Sequence, residues 1–112
     1  MSQTRIPIAR WEEQVPMADG SVSVREVDTT VFIQQMTSLT AQKKELKGVE
    51  AFNIVGEIAT SCDDIRTDEA GDYIELGSAT FKWLQTAIKE ETPAVMAQNP
   101  DIRKVIESIL AL

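Results

Sequence analysis

The sequence contains no histidine and one cysteine, Cys62, in 112 residues. Without histidine the commonest general base at neutral pH is missing. With it go Ser-His-Asp and Cys-His catalysis and every zinc site that uses an imidazole ligand. A single cysteine excludes an internal disulfide and a four-cysteine metal site, and one free thiol suits a reducing compartment. No stretch approaches the ~20 apolar residues of a membrane span. The N-terminal residues lead into no apolar signal segment, since Pro7 and Arg10 break up the run. A cytoplasmic chain with no membrane association is therefore expected. Basic residues are few, 11 Lys and Arg against 18 Asp and Glu, which leaves a net charge of −7. That balance opposes docking on nucleic acid, where clustered Lys and Arg supply the attraction. The five glycines are scattered and Gly-Lys-Ser/Thr is absent, so nucleotide binding has no phosphate loop to carry it.

What is present is ordinary for a folded domain: 43% hydrophobic and 26% charged residues. The length fits one domain over residues 1–112. Residues 5–27 read as β. Ile6 and Ile8 alternate with Arg5, Pro7 and Ala9, and Val15 and Met17 precede Ala18-Asp19-Gly20-Ser21 with Val22, Val24 and Val27 after it. Asp-Gly between apolar alternations predicts a β-hairpin, because glycine accepts the positive φ such turns need.

Helical spacing takes over at Asp28-Thr29-Thr30, a run of N-cap candidates. Phe32, Met36, Leu39, Lys43 and Leu46 form one stripe. Val49, Phe52, Val55, Ala59 and Cys62 form the next, with Ile58 beside them. A helical pair over residues 29–62, broken at Gly48, is expected; one continuous helix is the alternative. Periodicity fails over 63–72, which reads as an acidic loop. Tyr73-Ile74-Glu75-Leu76 reads as a short strand able to pair with the N-terminal hairpin. Ser78 is the expected cap of a helix with Phe81, Leu84 and Ile88 on its inner face, ended by Thr92-Pro93. Asn99-Pro100-Asp101 announces a last helix bearing Ile102, Val105, Ile106, Ile109 and Leu110. The expected fold is α+β, mainly α: an N-terminal hairpin and one short strand packed with about four helices.

Chemistry has few carriers. Between Glu57 and Glu75 lie seven acids and one base, Arg66, a composition that suits a hard cation. The calcium-loop pattern fails in each register. From Asp63, positions 3 and 5 are Ile65 and Thr67, and placing Gly71 at position 6 puts Arg66 at position 1. No cofactor or metal is expected. Asp63, Asp64, Asp68, Glu69 and Asp72 instead read as a solvated or partner-facing patch. Cys62 falls on an apolar face beside Asp63 and Asp64, which disfavours thiolate and points to a buried structural residue. Trp11, in the β region, and Trp83, off the Phe81/Leu84/Ile88 stripe, are the aromatic candidates for a protein interface. The wide apolar face of the last helix points to self-association.

The segment Tyr73-Ile74-Glu75-Leu76-Gly77-Ser78 with Phe81-Lys82-Trp83-Leu84, followed by Ile106-Glu107-Ser108-Ile109-Leu110-Ala111, resembles small accessory proteins of tailed bacteriophages, among them tail-assembly chaperones. The resemblance covers about the last third of the chain. It implies a non-enzymatic assembly role in the host cytoplasm and assigns no functional residue. The reading expected from the sequence is a non-enzymatic protein-interaction module that self-associates and binds other proteins. An acidic inhibitor or antitoxin-like protein covering a basic surface is the alternative. A carboxylate enzyme with a divalent metal is the third class.

Overall fold

Alternation at the start of the chain builds two separate pieces of sheet, and the helices close over one of them. The computed structural model describes residues 3–112; residues 1 and 2, which the single-domain reading includes, lie outside them. Strands β1 (Gln3–Pro7), β2 (Arg10–Pro16) and β3 (Val22–Asp28) are followed by α1 (Thr29–Lys43) and α2 (Val49–Cys62). Then come β4 (Arg66–Asp68), β5 (Gly71–Gly77), α3 (Ser78–Glu91), a 3-10 turn at Ala94–Gln98, and α4 (Pro100–Leu110). The result is α+β, with four α-helices among the described residues, as the patterning predicts.

The β region divides at Ile8 and Ala9. β2 and β3 form the antiparallel hairpin, with Trp11 opposite Val27 and Pro16 opposite Val22. Its turn carries Gly20 at φ +85°, and Asp19 accepts the Ser21 N–H at 2.9 Å. β1 belongs to the other sheet, of order β1-β5-β4, all antiparallel. The strand at 73–76 thus pairs with β1, outside the hairpin, through Ile6 opposite Ile74 and Thr4 opposite Leu76. Ile6, Ile74 and Leu76 point into the core, whereas Arg5, Tyr73 and Glu75 lie on the outer face, where the Arg5 guanidinium sits 4.5 Å from the Tyr73 ring centroid. The structure corrects the acidic loop. Arg66–Asp68 is a strand, and residues 66–77 form a second hairpin turned at Glu69-Ala70, with Gly71 opening β5 at φ +122°.

The helical pair is present and interrupted over residues 44–48, which include Gly48. α1 ends at Lys43, Glu45 takes φ +49°, and Gly48, at φ +97°, serves as the N-cap of α2. Asp28 caps α1 by accepting the Thr30 N–H at 2.8 Å, and Asn99 caps α4 by accepting the Asp101 N–H at 2.9 Å. Phe32, Ile33 and Met36 of α1 meet Phe81, Leu84 and Ile88 of α3 in the core. α4 closes that core with Ile102, Val105 and Ile109 buried and Ile106 and Leu110 packed against it. The wide apolar face of the last helix is therefore used inside the fold, which removes the feature of the sequence that points to self-association.

A candidate interaction face on helix α2

Helix α2 is apolar on nearly all sides: Val49, Ala51, Phe52, Ile54, Val55, Ile58, Ala59 and Cys62 in 14 residues. Only one side can face the body. Ile58 and Cys62 are buried and Ile54 packs against the core, all within one helical stripe. The stripe whose spacing suggests the interior turns outward instead. Val49 is 75% exposed and Phe52 76%. Val55 is half-buried and Ala59 exposed beside them. Phe52, Val55 and Ala59, with Ala41 of α1 and Leu46 of the segment after it, border an open groove of ≈ 450 Å³.

Two side chains fix this orientation. Glu57 accepts the Gly77 N–H at 2.8 Å and the Thr80 hydroxyl at 2.9 Å, and Ser61 donates its hydroxyl to the Glu75 carbonyl at 2.9 Å. Both tie the inner and flanking sides of α2 to β5 and α3. Phe52, five residues before Glu57, is rotated about 140° around the helix from it and faces solvent.

The acids of the 63–72 segment are largely occupied within the chain. Asp68 meets Arg5 at 2.9 Å, Asp72 meets Arg10 at 2.7 Å, and Asp64 meets Arg66 at 3.3 Å. Asp72 also accepts the Thr67 hydroxyl at 2.7 Å; this bond, and then Arg10, holds its carboxyl below the ordinary 3.8. These contacts stitch β4 and β2 to the central sheet. Asp63 and Glu69 are exposed and have no ion pair among the described residues. Among the described residues no three Asp, Glu or Cys side chains converge as a metal site would require. A cleft of ≈ 660 Å³ lies between α2, β5 and the start of α3, but its Glu57, Ser61 and Arg66 are all partnered.

The tryptophans divide. Trp11 is 7% exposed, and its indole N–H donates to Glu13 at 3.2 Å, so its ring packs in the core. Trp83 is half-buried against the core from α3. Cys62 is buried, and burial pushes its thiol up to about 11. Sequence reasoning misses Val49 and Phe52 as contact residues because their spacing matches a core stripe. The available signal is that α2 carries two apolar stripes, more than one buried face can absorb.

No protein-family model matches this chain, and no curated protein or solved structure matches it. Helix α2 is not long and apolar enough to cross a membrane, nor is any other helix among the described residues.

Proposed function

We propose that the chain is a non-enzymatic protein-interaction module, an adaptor or assembly factor, whose contact surface is the exposed apolar face of α2. The observation that carries this reading is the exposure of Phe52 and Val49 side by side on an ordered helix. Burying such a side chain is worth roughly 1.5–3 kcal/mol, so leaving two in water forgoes stability that a partner can recover. Phenylalanine is among the aromatic side chains that dominate core and interface energetics. A cytoplasmic location belongs to the same proposal, supported by the free thiol of Cys62. A role in phage tail assembly is its narrower form. It rests on the resemblance over residues 73–111 and is tested by whether tail or capsid genes adjoin this one.

The test is a photo-crosslinking amino acid placed at position 52 in the expressed chain. Covalent capture of a polypeptide from position 52, and none from the exposed control position Lys104, is expected. Absence of any crosslinked polypeptide from position 52 contradicts the reading.

A further inference from the structure

We infer that the occupant of the α2 face is a second copy of this chain, docked by antiparallel pairing of the two α2 helices about a two-fold axis beside Val55 and Gly56. The inference rests on the reading of α2 as the contact face and names its partner.

An isologous contact requires one patch that is complementary to itself. The midpoint of α2, Val49–Cys62, falls between Val55 and Gly56. Antiparallel pairing about it sets Phe52 opposite the partner's Ala59 and Val55 opposite the partner's Gly56. A large ring then meets a small-residue floor on each side of the axis. Phe52 supplies the knob, and Gly56 and Ala59 leave the hole.

Gly56 is the second observation. It lies in the helix interior, and a Cβ added there would meet nothing within 4 Å. Alanine is the better helix former at such a site, and packing inside one chain gives no reason for glycine. Close approach of another helix backbone supplies that reason.

Charge provides the third. Lys47 stands just before the helix and Asp63 just after it. Of the neighbouring charges, Lys43 is paired with Glu91 at 3.2 Å, Lys44 with Glu90 at 3.7 Å and Asp64 with Arg66 at 3.3 Å, whereas Glu50 in the first turn of α2 lies about 160° around the helix from Phe52, off the contact face. Among the described residues Lys47 and Asp63 have no ion pair. At 14 residues the helix is about 21 Å long, so the two charges cap opposite ends of the apolar face. The same antiparallel placement sets each Lys47 within one residue, about 1.5 Å along the axis, of the level of the partner's Asp63, once at each end.

Sedimentation velocity on the full chain, from about 5 to about 500 µM, spans the range in which a contact through one helix face associates. A species of twice the 12.4 kDa chain mass is expected. Phe52→Asp should leave only monomer. Gly56→Ala should raise the melting temperature of the dilute chain while weakening association about tenfold, a divergence that a purely structural role would not produce. Lys47→Asp and Asp63→Lys should each weaken association about fivefold, and an equimolar mixture of the two should restore it, because both end contacts of the mixed dimer are again of opposite sign. A wild-type chain that stays monomeric at the highest concentration overturns the inference, as does a dimer indifferent to all four variants. If that monomer still crosslinks from position 52 to another protein, the interaction-module reading stands and only the second copy falls; with no crosslink, both fall.

Discussion

Glu57, in the middle of α2, caps a helix to which it does not belong, accepting the backbone N–H of Gly77 at 2.8 Å. Its other oxygen accepts the Thr80 hydroxyl at 2.9 Å. The first N–H groups of any helix lack intrahelical partners. At α3 the capping position is Gly77, which has no side chain, and Ser78, the expected cap, lies one residue too far inside. A carboxylate from α2 fills the gap. It also complements the positive end of the α3 dipole. Capping α3 and turning Phe52 toward solvent are therefore two consequences of one helix rotation.

Replacing Glu57 by Ala should destabilise the fold by about 1–2 kcal/mol, the range for lost caps. The melting temperature should fall by roughly 4–8 °C for each kcal/mol lost. Glu57→Gln, which keeps one acceptor oxygen, should lose less. Thermal unfolding followed by far-UV circular dichroism measures both, and equal melting temperatures for wild type and Glu57→Ala would refute the cap.

Local rules made most of the fold legible. Asp19-Gly20 marks the hairpin, Asp28 and Asn99 mark two helix starts, and Thr92-Pro93 marks a helix end; each is a short-range constraint written in adjacent residues. What stayed hidden depended on distant partners. Arg66–Asp68 is strand because β5 offers an edge, with Arg66 opposite Tyr73, and three polar residues carry no pattern of their own. Which of the two stripes of α2 faces inward is settled by Glu57 and Ser61 bonding residues 14 to 23 positions away. The acids of 63–72 look free in the sequence because Arg5 and Arg10, their partners, lie far upstream.

Asp72 should set part of the acid limit of stability. With its carboxyl held below the ordinary 3.8 in the folded chain, it stabilises the fold above that value, and the contribution disappears as pH falls through the depressed folded-state value. Urea unfolding of wild type and Asp72→Asn across a pH series should show a constant gap above about pH 5. The gap should close on acidification below 3.8. A gap independent of pH would show that the Arg10 and Thr67 contacts do not favour the ionised form.

Cys62 should behave as an inert thiol. Burial favours the neutral form and moves its pKa from 9.0 to about 11, so whatever stability this adds is present below pH 9.0 and is lost as pH rises from there toward 11. At neutral pH an aromatic disulfide reagent should modify it only as fast as the protein opens, and denaturant should release the full reaction at once. Rapid labelling of the native chain would place the thiol at the surface.

The β2–β3 hairpin should prove divisible into a structural base and a dispensable tip. Its base enters the core through two side chains, Trp11 and Val27, which face each other across the strands. Beyond them Glu13 and Arg25 form a 3.2 Å ion pair, and then Val22 and Val24 are more than half exposed. The radius of gyration, 14.8 Å, exceeds the about 13 Å expected of a chain this long, as a projecting ribbon requires. Gln14 and Val24 are register partners, so deleting residues 15–23 and joining them through Asn-Gly preserves the pairing below. That shortened chain should melt within about 2 °C of the wild type, because it loses no core side chain. Trp11→Ala, by contrast, should cost about 3–5 kcal/mol, the usual range for deleting a buried indole. Against a total stability of about 5–15 kcal/mol that leaves the fold marginal. Near-UV circular dichroism reporting on Trp83 distinguishes the two: the signal should persist in the shortened chain and collapse well below the wild-type melting temperature in Trp11→Ala. Equal losses in both variants would mean that the tip packs on the body after all.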